Sequence, residues 1–80
     1  MLYYPYMVKK ADKPVLEMVA ENLKSARLNR NLTQLEVAKR AGINSNYYAK
    51  VERGEASLSV ITLLKLVKAL GVKSSKILPN

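Results

Sequence analysis

Apolar residues recur every three or four positions along most of this chain, and the gaps between the runs carry helix-ending chemistry. Pro14 stands where a helix can begin, because a first turn does not need the N–H that proline lacks. From there Val15, Met18, Val19, Asn22/Leu23, Ala26 and Arg27 share one face, which predicts an amphipathic helix ending around residues 29–31. Thr33-Gln34-Leu35-Glu36 has the form of a capping box. It predicts a short second helix with Val37, Ala38 and Ala41 inward and Gly42 at its left-handed end. Asn44 is a good N-cap for a third helix running through Arg53 and stopped by Gly54. Ser59 caps a fourth, Val60 to Leu70, which Gly71 ends; Ser74 or Ser75 then opens a last short turn carrying Ile77 and Leu78.

No strand alternation follows Pro14, so the expected fold class is all-α: a compact bundle of four to five short helices. Residues 1–13 form an N-terminal arm and residues 14–80 the helical domain. Eighty residues with 49% hydrophobic and 25% charged side chains suit one small globular unit. A chain of this size buries only about 60–65% of its unfolded surface, so its stability is marginal unless something staples it. With no Cys and no His, the staples cannot be disulfides or thiolate and imidazole metal sites. The same absence removes Cys nucleophiles and Ser-His-Asp triads, and the sparse carboxylates form no acid/base constellation. No enzyme, metal or cofactor is expected. Oligomerisation is the remaining route to stability, and it predicts a homodimer.

Fourteen Lys and Arg against six Asp and Glu give a formal charge of +8, which makes nucleic acid or another anionic surface the first partner to consider. The apolar opening from Met1 to Val8 is too short to span a bilayer. Its lysines follow the apolar stretch instead of preceding it as in a secretory signal, so a soluble cytoplasmic protein with no membrane association is expected.

Thr33 to Gly54 carries the chemistry. Two short helices separated by Gly42-Ile43-Asn44 must cross steeply, with Ala38 small at the approach and Val37, Ile43, Tyr48 and Val51 filling the space beneath. Together with Leu32-Thr33-Gln34, Val51-Glu52-Arg53-Gly54 and Leu70-Gly71-Val72, this spacing resembles the phage-repressor and Cro-type helix-turn-helix family over roughly residues 16–78. Each fragment alone is weak; the joint spacing is specific.

That resemblance implies that the third helix enters the major groove of double-stranded DNA. Ser45, Asn46, Ala49 and Lys50 would then read bases. Asn46 suits adenine, Lys50 suits guanine O6 or N7, and Ala49 suits a thymine methyl. Gln34, Asn44, Tyr47 and Arg53 would hold phosphates, Gln34 assisted by a helix N-terminus; Tyr47 could instead pack on a neighbour. Arg27 and Glu52 match a structural salt bridge that sets the third helix against the first. Tyr48 departs from the family, which has a branched aliphatic residue there, and its hydroxyl needs water or a partner.

The implied function is a sequence-specific transcriptional regulator, a homodimer on an inverted-repeat operator, with Leu58, Val72, Ile77 and Leu78 as its dimer surface. The resemblance extends to Cro-like repressors, restriction-modification controller proteins and self-repressing antitoxins. An alternative reading is therefore an antitoxin-type protein that masks a toxin and represses its own operon, its protein partner held by the apolar arm. Tyr3, Tyr4, Tyr6, Lys9, Lys10 and Lys13 leave the arm open between a DNA-tracking role, a clamp on a partner subunit and a terminus without a role.

Overall fold

Helix ends in this chain are set by side chains adjacent to them in sequence. The computed structural model describes residues 13–78. It comprises α1 (Lys13–Asn29), α2 (Gln34–Ala41), α3 (Ser45–Glu52) and α4 (Val60–Leu70), followed by a single 3-10 turn, Ser74–Lys76. Lys13, assigned to the arm above, opens α1. The readings of the arm before it lie outside the described residues.

Thr33 caps α2 as expected. Its Oγ1 accepts from the Glu36 N–H at 3.0 Å, and the Glu36 carboxylate accepts from the Thr33 N–H at 2.8 Å. These bonds, that from the Thr33 backbone foremost, hold the Glu36 carboxyl below its ordinary range. Gly42 ends α2 at φ 72° and Gly54 follows α3 at φ 72°, a conformation that costs a residue with a Cβ. A Cβ on Gly54 would also press on Glu17 Cγ at 3.3 Å. Asn31 supplies the left-handed residue after α1, at φ 56°, a role asparagine tolerates.

One core joins all four helices. Leu16, Val19 and Leu23 of α1, Val37, Ala38 and Ala41 of α2, Tyr48 and Val51 of α3, and Leu63, Leu66 and Leu70 of α4 are buried together. The helix pairs in closest contact are α2 with α4, α1 with α3 and α2 with α3. The inner face of α1 is rotated from the expected one: Leu16, Val19, Ala20 and Leu23 are buried, while Val15 and Met18 are exposed. Both stripes satisfy three- and four-residue spacing; the position of α3 selects between them.

The expected dimer surface needs correction at two residues. Leu58 and Ile77 are 4% and 0% exposed, members of the chain's own core. After α4 the backbone returns across α1, where Asn22 Nδ2 donates to the Ile77 carbonyl at 2.8 Å and seats Ile77 inward. Val72 is half-buried against the core, and Leu78 remains exposed. None of the helices among the described residues is long and apolar enough to cross a membrane.

Candidate nucleic-acid interface

The inner side of α3 is fixed by both packing and charge. Tyr48, Val51 and Glu52 are buried. Arg27 reaches from the end of α1 and holds Glu52 with two parallel bonds, Nε to Oε2 at 2.7 Å and Nη2 to Oε1 at 3.0 Å. Its third donor, Nη1, meets the Leu32 carbonyl at 2.9 Å. Gln34 at the start of α2 donates Nε2 to the same Glu52 oxygen at 3.0 Å. Glu52 thus ties α1, α2 and α3 together from a site where its side chain is 2% exposed and that of Arg27 is 11% exposed.

The ionisation of these groups follows from that geometry. Burial opposes the Glu52 charge, but the hydrogen bond from Arg27, the neighbouring Tyr48 hydroxyl and the hydrogen bond from Gln34 outweigh it and hold the carboxyl below its ordinary range. The hydrogen bond to Glu52 likewise raises Arg27. Tyr48 lies beside the pair with its ring fully buried and its hydroxyl without a hydrogen-bond partner. Burial, and then the Glu52 carboxylate, push that phenol far above its ordinary value.

With the inner side held, the opposite side of α3 faces outward. Asn46 and Lys50 are exposed, and Ser45 and Ala49 are half-buried at its margins. Exposed Asn44 spends its side-chain oxygen on the Tyr47 N–H at 3.0 Å, capping α3 and leaving its amide N–H₂ to donate. Arg53 is exposed just beyond α3 and pairs with Glu55, Nε to Oε1 at 3.1 Å. At the start of α2, the capping box occupies the Thr33 and Glu36 N–H groups. One N–H of the Gln34 amide goes to Glu52 and the other remains as a donor.

Of the two roles expected of Tyr47, phosphate contact and packing on a neighbour, the structure shows the packing. The Tyr47 hydroxyl donates to the Ser57 carbonyl at 2.7 Å, and its half-buried ring packs against the core. A phosphate oxygen can only accept, and the one phenolic proton is already committed. Tyr47 therefore braces the α3–α4 loop and is not a free phosphate donor. Burial raises its phenol as well.

Sequence reasoning missed the Tyr47–Ser57 and Gln34–Glu52 bonds, which join residues ten and eighteen positions apart and have no local signal, and it missed the Arg53–Glu55 pair, two positions apart across Gly54. It also missed the exposure of Val60, Ile61 and Leu64 on α4, at 39%, 64% and 54%. There a signal existed: α4 has apolar residues on more than the one face that a surface helix buries.

Two short capped helices crossing through a glycine turn, the second with its polar side free, define a helix-turn-helix domain. The helix-turn-helix family profile matches residues 23–77. The chain belongs to this family, the Cro/C1-type DNA-binding transcription regulators, which are not enzymes. It is 38% identical over 64 residues to the control protein C.SmaI of Serratia marcescens, covering 80% of this chain and 76% of that one. Among solved structures, it is similar to the restriction-modification controller protein C.AhdI from Aeromonas hydrophila. That match has a TM-score of 0.76 at 30% identity and covers 84% of this chain and 97% of the other. The controller protein C.Esp1396I, solved as a tetramer with its natural 35 base-pair operator, matches with a TM-score of 0.71 at 27% identity over 74% of this chain and 78% of that one.

Proposed function

We propose that this protein is a sequence-specific regulator of the controller type that binds an inverted-repeat operator as a homodimer, with α3 in the major groove. The observation that carries the reading is the division of α3 into two sides. One is locked by Tyr48, Val51 and the Arg27–Glu52 pair, and the other offers Asn46 and Lys50 to solvent. Asn46 and Lys50 read base edges, with Ser45 and Ala49 at the margins of the contact. Arg53, the Asn44 amide and the remaining Gln34 donor hold phosphates and set the register. The operator complex of C.Esp1396I supports a DNA-bound oligomer.

The dimer surface that fits this reading lies at the start of α4. Val60, Ile61 and Leu64 are exposed there, and Leu78 and Val15 join Val60 around one apolar groove. Burial of such a patch in a second copy supplies the stabilisation that a small core lacks. Selection of bound sequences from a random duplex library tests the whole reading. It should return two half-sites related by a two-fold, centred about 34 Å apart along the duplex. Affinity should fall with salt at a log–log slope of about −5 to −7 if each half-site neutralises three or four phosphates. A slope near zero, or enrichment of no motif, defeats it.

A further inference from the structure

Glu55 sits at the edge of the α3 surface proposed to meet DNA, where a carboxylate is out of place. Its position is fixed by the backbone: Gly54 turns the chain at φ 72°, and the Glu55 N–H donates to the Lys50 carbonyl at 2.9 Å, closing the end of α3. The side chain then folds back to accept from Arg53 Nε at 3.1 Å, with the two side chains 57% and 53% exposed. So exposed a pair adds little to folding. What it changes is the charge presented to a ligand. Glu52, another carboxylate of this region, is buried and neutralised by Arg27. Among the described residues, Glu55 pairs directly with the arginine that would otherwise face a phosphate as a full cation. Glu17, exposed and packed at Gly54, adds a second negative charge nearby, and Lys13 lines the same groove as Glu55.

We propose that Glu55 is an affinity-limiting residue that competes with a DNA backbone phosphate for the guanidinium of Arg53. The inference rests on the reading of α3 as the DNA-binding helix. In the free protein the arginine is held in a nearly neutral pair. On DNA it turns to the phosphate, leaving Glu55 unpaired beside a polyanion. The regulator thereby binds every sequence less tightly than its +8 charge would allow, while base reading by Asn46 and Lys50 is unchanged. Non-specific binding, which depends almost wholly on phosphate contacts, loses the same fold in affinity but a larger share of its binding free energy.

The test is a double-variant cycle of Glu55→Gln and Arg53→Ala, with Lys50→Ala as a reference. Dissociation constants are measured for the selected operator duplex and for a scrambled duplex at several salt concentrations. Glu55→Gln keeps the side-chain length and the backbone bond, so its melting temperature should match the parent. It should tighten binding to both duplexes about five-fold at low salt, and this gain should shrink as salt rises. In the Arg53→Ala background the gain should fall to less than two-fold, the non-additivity expected of two groups in contact. An equal gain in both backgrounds overturns the competition, because it leaves only diffuse repulsion. No gain from Glu55→Gln, with Lys50→Ala still altering operator binding, overturns the proposal and spares the DNA-binding reading of α3. If neither Lys50→Ala nor Arg53→Ala affects binding, that reading fails and this inference with it.

Discussion

Two helices of this protein start from the same device and end with opposite surfaces. Asn44 caps α3 and Ser59 caps α4, each through a side-chain oxygen accepting from the N–H three residues on. Helix α3 then buries an aromatic ring, a valine and a paired carboxylate, and shows solvent amide and ammonium groups. Helix α4 buries leucines and shows solvent Ile61 and Leu64. The difference teaches what each outer face is suited to meet. A polar face gains nothing by being covered with apolar protein and can exchange water for base edges and phosphates. Exposed isoleucine and leucine gain about 25 cal/mol for each Å² of apolar surface removed from water, and that favours a protein partner.

Glu52→Ala should have the largest effect on this contrast, because it removes the charge that anchors α3. Arg27 is then left nearly buried without its partner, at an expected cost of about 3–5 kcal/mol. Chemical denaturation measures it, and Glu55→Ala, which loses only an exposed pair, should change stability by less than about 1 kcal/mol. Equal effects would show that α3 is not held by the buried pair. The sign of the pH dependence follows from the same site. Glu52 ionises below its ordinary 4.5 in the folded protein, so its contribution is complete above that pH. It is lost as pH falls through the depressed value, and Glu52→Gln should flatten the acid limb of the stability curve.

On the α4 side, Ile61→Asp should convert the proposed dimer to monomer at micromolar concentration in analytical ultracentrifugation, with helix content retained because the side chain is 64% exposed. An unchanged dimer moves the interface elsewhere. Lys50→Ala should relax base preference at one operator position by about 1–3 kcal/mol in a competition assay without changing the melting temperature. A uniform loss across sequences would make Lys50 a phosphate contact. The smallest effect belongs to Tyr48→Phe. Removing a buried hydroxyl that lacks a partner should raise stability by up to about 1 kcal/mol. A loss would mean that the hydroxyl is bonded to a neighbour in solution.

Much of the candidate interface was legible in the chain because α3 is bounded by local chemistry. Once Asn44 and Gly54 mark its ends, helical spacing alone separates Asn46 and Lys50 from Tyr48 and Val51. The Arg27–Glu52 pair was reached through family spacing, and Gln34 as its third member was not, since nothing between residues 34 and 52 encodes that approach. Tyr47 shows the same boundary. Its place on α3 was readable, but its commitment to the Ser57 carbonyl depends on how the following loop folds back.

Sequence alone determined the helices and their ends, because caps, left-handed turn residues and apolar spacing act within a few residues of one another. Only the tertiary structure decided which apolar residues the chain keeps for itself. Leu58 and Ile77 went into the core and Val15, Met18, Ile61 and Leu64 stayed outside. Apolar character fixes that a residue gains by burial; the crossing of distant helices fixes whether there is room to bury it.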